Sequence, residues 1–270
     1  MDHVEFQSPT LIEDFISVWR KTGLQRHGIM VGHYAPYPKV PLGIKAVVAW
    51  IYEPPQQMAG DGIDLTPYPL DMAQVHALAD LTGMKVVGQI YTDLIDDGDS
   101  KGTVLYKRNP RSFMLSSGEL AMAADLQHRY FAVSRHAPKD AQGQHRFGSK
   151  FVTVVVSGDP EGHVVPEAYM CSDFVAALYS EDIVEASIDP RLIRVRENTK
   201  TLFIPEIYWK GKNEYGIMVR TPAKGAIPVE YGIVSVCLLC SLLFDDKECS
   251  SSSSSSSSSN IGVLTSQSSS

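Results

Sequence analysis

The chain has 270 residues, 44% of them hydrophobic, and its 24 lysines and arginines stand against 31 acidic residues for a net charge of −7. That length and apolar content predict a soluble globular protein that buries one substantial core, or one core with an appended lobe. The acidic balance excludes broad, salt-sensitive binding to nucleic acid.

In chain order, the N-terminus has neither a basic segment before an apolar one nor an arginine-rich amphipathic pattern, so no import signal is expected. Ser8 and Pro9 start a helix in which Leu11, Ile12, Phe15, Ile16 and Trp19 recur at helical spacing, and Gly23 stops it. HGIMVGHYAP (from His27) and GIKAVVAWIYEP (from Gly43) read as neighbouring strands across a proline-containing turn. After a Pro/Gly-rich loop, Asp71 caps a helix that runs to Leu81 and closes at Gly83. MKVVGQIY (from Met84) then forms a third strand, a βαβ-like alternation that predicts a sheet with helices against it. A further helix begins at Ser116 or Ser117 with Glu119 in its first turn. KFVTVVVSG and HVVPEAYMC form a hairpin, Ser172 to Glu181 a last helix, and TLFIPEIYW and YGIMVRTP short strands.

The four cysteines, Cys171, Cys237, Cys240 and Cys249, lack the density of a disulfide scaffold and predict a reducing compartment. From Ile233 the apolar IVSVCLLCSLLF leads to DDKEC and an unbroken serine run, Ser250 to Ser259, which cannot build a core, and the last stretch, to Ser270, is expected to be disordered. The apolar segment Gly232 to Phe244 is too short to cross a bilayer, which takes about 20 apolar residues.

KVVGQIYTDL, from Lys85 to Leu94, resembles the strand of JAMM-type MPN metalloisopeptidases that ends in His-x-His-Pro. Those enzymes add an upstream glutamate and a Ser-x-x-Asp on the following helix. Two imidazoles and a carboxylate hold Zn²⁺ with one position open, and the glutamate deprotonates the bound water. Here Gln25 stands at the glutamate position, Tyr91 and Asp93 at the histidines, and Leu94 at the proline. Ser116 and Glu119 keep the serine-x-x-acid spacing after a lengthened intervening segment. A glutamine cannot accept the water's proton, and tyrosine is a poor zinc ligand at neutral pH. The resemblance therefore implies an inactive site that holds no metal and no cofactor.

A second resemblance covers most of the chain. VWRKTG, PLGIKAVVAWIYEPPQ, VVGQIYTDL, KGTVLYKRN, FMLSSGE, FGSKFVTVVVSG and IPVEYGIV occur in the order found in the nuclear protein localization protein 4 family. It implies an α/β fold, an MPN-like (JAMM-type) sandwich with a mixed central sheet flanked by helices, over residues 1–200. Residues 201–236 would begin the family's C-terminal lobe, here incomplete, and 237–270 would be a divergent tail. The implied function is a non-catalytic, ubiquitin- and polyubiquitin-binding cofactor. With ubiquitin fusion degradation protein 1 it would deliver substrates to the valosin-containing-protein AAA ATPase for degradation, including at the ER. The implied location is the cytoplasm and nucleus, with a peripheral position at the ER membrane. The family's N-terminal ubiquitin-like and zinc-finger segments, which grip the ATPase, are absent from this sequence. The junction with its last stretch resembles an alternative splice form, a retained intron or a mistaken gene model.

Other residues carry weaker readings. TDLIDDGDSKGTVLYKRNPR sets Asp93, Asp96, Asp97 and Asp99 before Lys101, Lys107, Arg108 and Arg111, a divided pattern suited to orienting a charged partner or simply a solvated loop. His128, His136 and His145 share no metal-ligand spacing and are read as a solvated polar loop. Cys237 and Cys240 lack a second pair, so buried thiols are the expectation. Trp50, Tyr52, Phe147, Tyr208 and Trp209 line a peptide groove or serve the core. Three functional classes remain open: a ubiquitin-binding adaptor, an active metalloisopeptidase, and a fragment without autonomous function.

Overall fold

The computed structural model describes residues 1–64, 72–98, 102–131, 148–199, 203–204, 206–212, 215–223 and 225–239. The first part runs β1 (His3–Phe6), α1 (Thr10–Thr22), β2 (His27–Tyr37), β3 (Gly43–Tyr52), the short β4 (Gln57–Met58) and β5 (Ile63–Asp64), α2 (Met72–Leu81) and β6 (Lys85–Thr92). It continues with α3 (Ser117–Arg129), β7 (Val152–Gly158), β8 (Val164–Cys171), α4 (Asp173–Ser180), β9 (Val184–Ala186) and β10 (Leu192–Val195). The last elements are β11 (Tyr208–Lys212), β12 (Met218–Pro222), β13 (Ala226–Pro228) and β14 (Ile233–Leu239). No helix among the described residues is long and apolar enough to cross a membrane.

Pro9 and Gly23 bound α1 as their chemistry requires. Gly23 takes a left-handed φ of 69° and returns its N–H to Trp19 O at 2.7 Å. The expected strands from His27, Gly43 and Met84 are β2, β3 and β6, with both β3 and β6 antiparallel to β2. The expected hairpin is the antiparallel pair β7 and β8.

The sheet is mixed in direction, as expected, but it closes on itself in the order β1-β14-β8-β7-β6-β2-β3. Closure rests on β1, which pairs in parallel with both β3 and β14. His3 lies opposite Cys237 and Glu5 opposite Leu239, so residues 237–239, assigned from sequence to the divergent tail, end a strand of the barrel. Within 201–236, β13 pairs with β10 and β14 with β8. In TLFIPEIYW the strand begins only at Tyr208 and pairs with β12.

Strand alternation explains why the sheet is buried on both faces. In β7, Val152, Val154 and Val156 join Ile12, Phe15 and Ile16 of α1 in one cluster, while Val155 joins Leu120, Ala123 and Ala124 of α3 in another. A bulge at Val87 shifts the alternation in β6: Met30 lies opposite Gly88, but Val31 lies opposite Val86. Val87 and Ile90 therefore pack with α1, whereas Tyr91 packs with α3. Gly88 is required by close approach, because a Cβ there would meet Val152 O at 2.3 Å. Trp50 and Tyr52 pack against the buried group formed by Ile29, Val31, Val75, Val86 and Phe151, a core role rather than a groove.

Candidate functional site

The end of β6 with the residue after it, and the start of β2 with the segment before it, deliver Tyr91, Thr92, Asp93, Gln25 and His27 to one pocket of about 300 Å³. The β4–β5 tip, the segment 107–113 and the start of α3 complete its wall. Five positions singled out from the sequence are therefore brought together: Gln25, Tyr91, Asp93, Ser116 and Glu119 all line it.

Gln25 is buried and fully committed. Its Nε2 donates to Gly60 O and Leu94 O, both at 2.7 Å, and its Oε1 accepts from Thr92 Oγ1 at 2.8 Å and Leu94 N at 3.1 Å. A carboxylate could not make the two donations. The amide thus ties the β4–β5 tip to the end of β6, a clasp where a general base would stand.

Asp93 is buried beside two cations. Arg108 Nε donates to its Oδ2 at 2.8 Å, and Lys107 Nζ reaches its Oδ1 at 3.0 Å. The Arg108 side chain is only 3% exposed, so the guanidinium is an internal group. Nη1 donates to Met114 O at 2.8 Å and Glu119 Oε2 at 2.9 Å, and Nη2 to Glu119 Oε1 at 2.5 Å. Burial alone would lower its pKa, but the hydrogen bonds and charge of Glu119 reverse that and hold the guanidinium firmly protonated. It also lies over the rings of Tyr91 and Phe113, at 5.8 and 5.6 Å from their centroids.

The serine-x-x-acid spacing turns out to be a helix cap. Ser116 Oγ accepts from Glu119 N at 3.3 Å, and Glu119 Oε2 accepts from Ser116 N at 2.7 Å, a reciprocal capping box on α3. Glu119 is thus shared between its own helix terminus and Arg108.

Tyr91 and His27 face each other across the β2–β6 ladder and are both buried. Burial, reinforced by the Glu119 charge, pushes the Tyr91 phenol well above its ordinary pKa. Glu119 favours the protonated phenol both by its charge and as a hydrogen-bond partner. Burial lowers the pKa of His27, opposed by a hydrogen bond with Gln89, so the imidazole is neutral. His27 Nε2 lies 3.1 Å from Gln89 Oε1, and Gln89 Nε2 donates to Thr153 Oγ1 at 3.1 Å. Nδ1 of His27 has no partner.

These residues do not fit a catalytic zinc. The amide at position 25 is hydrogen-bonded throughout, the residue at 91 is a protonated phenol, and the carboxylate at 93 is neutralised by Arg108. Among the described residues, the His, Cys, Asp and Glu side chains close enough together to share an ion are Asp159, Glu161 and His163. They sit at the β7–β8 turn and none lines the pocket.

Several candidates sit elsewhere than expected. Lys107 and Arg108, read as partner contacts, turn inward onto Asp93, because the acids and bases of this segment satisfy one another. Asp96 and Asp97 stay at the surface: Asp96 Oδ1 accepts from Gly98 N at 3.2 Å and forms a bridge with Val104, and Asp97 accepts from the Thr103 hydroxyl. His128 lies in the last turn of α3 rather than in a loop. Tyr208 is covered by the Arg220 guanidinium, 4.4 Å from its ring centroid. Cys171 is buried, which pushes its thiol up, and Cys237 lies in β14. Asp71, Asp99, Lys101, His136, His145, Phe147, Cys240, Cys249 and the serine run lie outside the described residues, as does the side chain of Trp209. Sequence reasoning missed His27, Phe113, Met122 and the β4–β5 tip.

The sequence pattern of the NPL4 family matches residues 26–253. Nuclear protein localization protein 4 of Yarrowia lipolytica is 42% identical over 240 residues, 87% of this chain and 42% of the relative. The protein of the same name from Saccharomyces cerevisiae is 42% identical over 238 residues, covering 87% and 40%. The Schizosaccharomyces pombe protein is 38% identical over 236 residues, also 87% and 40%. The chain thus spans about two fifths of the length of these relatives. With a family match over most of its residues, this chain belongs to the NPL4 family.

Proposed function

We propose that this chain is the MPN-like, non-catalytic part of a ubiquitin-binding cofactor. In this reading it acts with ubiquitin fusion degradation protein 1 on the valosin-containing-protein type of AAA ATPase, and it works in the cytoplasm and nucleus. Family membership supports the cofactor role. The observation that carries the non-catalytic reading is Arg108, whose guanidinium stands between Asp93 and Glu119. A zinc site needs carboxylates or imidazoles free to donate lone pairs. Here the two carboxylates already serve a permanent cation, and the pocket becomes a structural knot that joins β6, the segment 107–114 and α3.

Elemental analysis after loading with excess zinc, run beside a titration with ubiquitin chains, tests both halves. The expected result is no stoichiometric zinc, no chain cleavage, and saturable binding to ubiquitin. One zinc per chain with chelator-sensitive cleavage would establish the metalloisopeptidase instead. A folded sample that binds no ubiquitin would refute the adaptor reading.

A further inference from the structure

The hairpin of β11 and β12 lies outside the packed interior. Among the described residues its two strands pair only with each other, Tyr208 opposite Pro222 and Lys212 opposite Met218. None of Tyr208, Tyr215, Ile217, Met218 and Val219 belongs to a buried cluster. A two-stranded ribbon has little stability of its own and ordinarily packs one face on something else. Here both faces are open: Met218 and Val219 are successive residues of β12, so they project from opposite sides, and they are 49% and 40% exposed. Ile217 and Tyr215, just before them, are 61% and 78% exposed. Four large side chains with apolar surface therefore gather within five residues at the end of the hairpin, whereas a single exposed apolar residue needs no account.

Charge narrows the kind of occupant. The chain has a net charge of −7, yet Tyr208 to Pro222 holds Lys210, Lys212 and Arg220 against the single acid Glu214. Arg220 is exposed and stands opposite Lys210 in the ladder. Glu206, just before β11, accepts the Tyr208 hydroxyl. A basic ribbon on an acidic protein favours an anionic partner, and at physiological salt the repulsion from the rest of the chain is screened beyond about 10 Å. Shape narrows it further. A folded protein surface covers one face of a ribbon, whereas a lipid boundary surrounds an inserted tip and covers both. Ile217 and Arg220 are three residues apart, about 10 Å of strand. Apolar faces of interfacial segments reach about 5–10 Å into the headgroup and acyl boundary, so a tip buried to Ile217 leaves Arg220 at the level of the phosphates.

We propose that the β11–β12 hairpin docks on an anionic lipid bilayer, with Tyr215, Ile217, Met218 and Val219 in the acyl boundary and the cations of the ribbon against the lipid phosphates. Tyrosine suits the boundary because its ring is apolar and its hydroxyl reaches the wet side. The attachment is peripheral and salt-sensitive, since it combines a small apolar area with a few surface charges. The proposal is independent of ubiquitin binding, and either can fail alone.

The test uses the full chain in two assays. In the first, the protein is co-sedimented with vesicles of phosphatidylcholine, with and without phosphatidylserine. In the second, the methionine methyls are labelled with ¹³C and followed by NMR in phosphatidylserine-containing bicelles that carry a nitroxide on the lipid acyl chain, with Met218→Leu assigning the Met218 signal. The expected result is sedimentation with the anionic vesicles that high salt reverses, and broadening of the Met218 methyl while that of the buried Met30 stays sharp. The double variant Ile217→Ser, Val219→Ser and the single variant Arg220→Glu should each lower the bound fraction roughly fivefold or more while leaving the urea midpoint unchanged, because the replaced side chains are exposed. No vesicle binding, equal binding to both vesicles, an unbroadened Met218 methyl, or undiminished binding by either variant overturns the proposal. Concentration-dependent dimerisation that the double variant abolishes, without vesicle binding, also overturns it and gives the hairpin to a second copy. Should a variant fail to fold, the Met218 readout on the parent protein decides alone.

Discussion

Replacing Arg108 by methionine keeps an unbranched apolar stem and removes the charge and five donors of the guanidinium. Asp93 then keeps only Lys107, whose side chain is 38% exposed, and Glu119 keeps only the Ser116 backbone N–H. Two carboxylates, 10% and 22% exposed, are left in one pocket without the cation that neutralised them, and Met114 O loses its donor. Breaking a buried ion pair from one side costs about 3–5 kcal/mol. At about 2–4 °C per kcal/mol for a chain of this size, the melting temperature should fall by roughly 6–20 °C.

Urea denaturation of Arg108→Met should show the loss directly. Adding Asp93→Asn and Glu119→Gln should recover most of it, because a fully uncharged set no longer carries a desolvated anion. Arg108→Lys should fall between the two, since one ammonium cannot bridge both carboxylates and the carbonyl. The reasoning is refuted if Arg108→Met lies within about 1 kcal/mol of the parent, or if the triple variant is no more stable than the single one.

Burial holds the folded-state pKa of His27 below its ordinary 6.5, so in mild acid the unfolded chain takes up a proton that the folded chain refuses. Stability contributed by His27 is therefore present above that value and lost as pH falls below it, and His3, also lowered chiefly by burial, adds in the same direction. The urea midpoint should drop between pH 7 and pH 5, and His27→Gln should flatten the slope by up to about 1.4 kcal/mol per pH unit. Ser116→Ala should cost about 1 kcal/mol and speed amide exchange in the first turn of α3, whereas unchanged exchange there would contradict the capping box. Gly88→Ala should destabilise by about 1–3 kcal/mol, because its Cβ would press on Val152 O; a neutral effect would mean that β6 and β7 separate easily.

What the sequence disclosed was local. The bounds of α1 follow from Pro9 and Gly23, and β2, β3 and β6 from runs of β-branched residues, since each signal lies within the element it defines. Barrel closure depends on β1, whose four residues HVEF carry too little pattern to stand out and whose partners are Lys45 to Val48 and Cys237 to Leu239. The same limit governs the site. The residue types at 25, 91 and 93 were legible, but a charged segment gives no sign of whether its bases face water or a buried acid. Lys107 and Arg108 read as surface charges until the fold placed Asp93 beside them.

The Ser116–Glu119 pair has a structural role of its own. The spacing that a metal site would use on this helix is also the spacing of a capping box, so the helix start alone preserves serine and acid. A glutamate held there by capping remains a buried anion at the pocket wall whether or not a metal is present. Asp93 adds a second anion at the end of β6, and two unpaired carboxylates in such a site repel each other and resist desolvation. Of the side chains available, an arginine meets this need best, because its planar fork takes both oxygens of Glu119, one oxygen of Asp93 and a carbonyl at once. Arg108 thus neutralises both carboxylates of the pocket from within the chain.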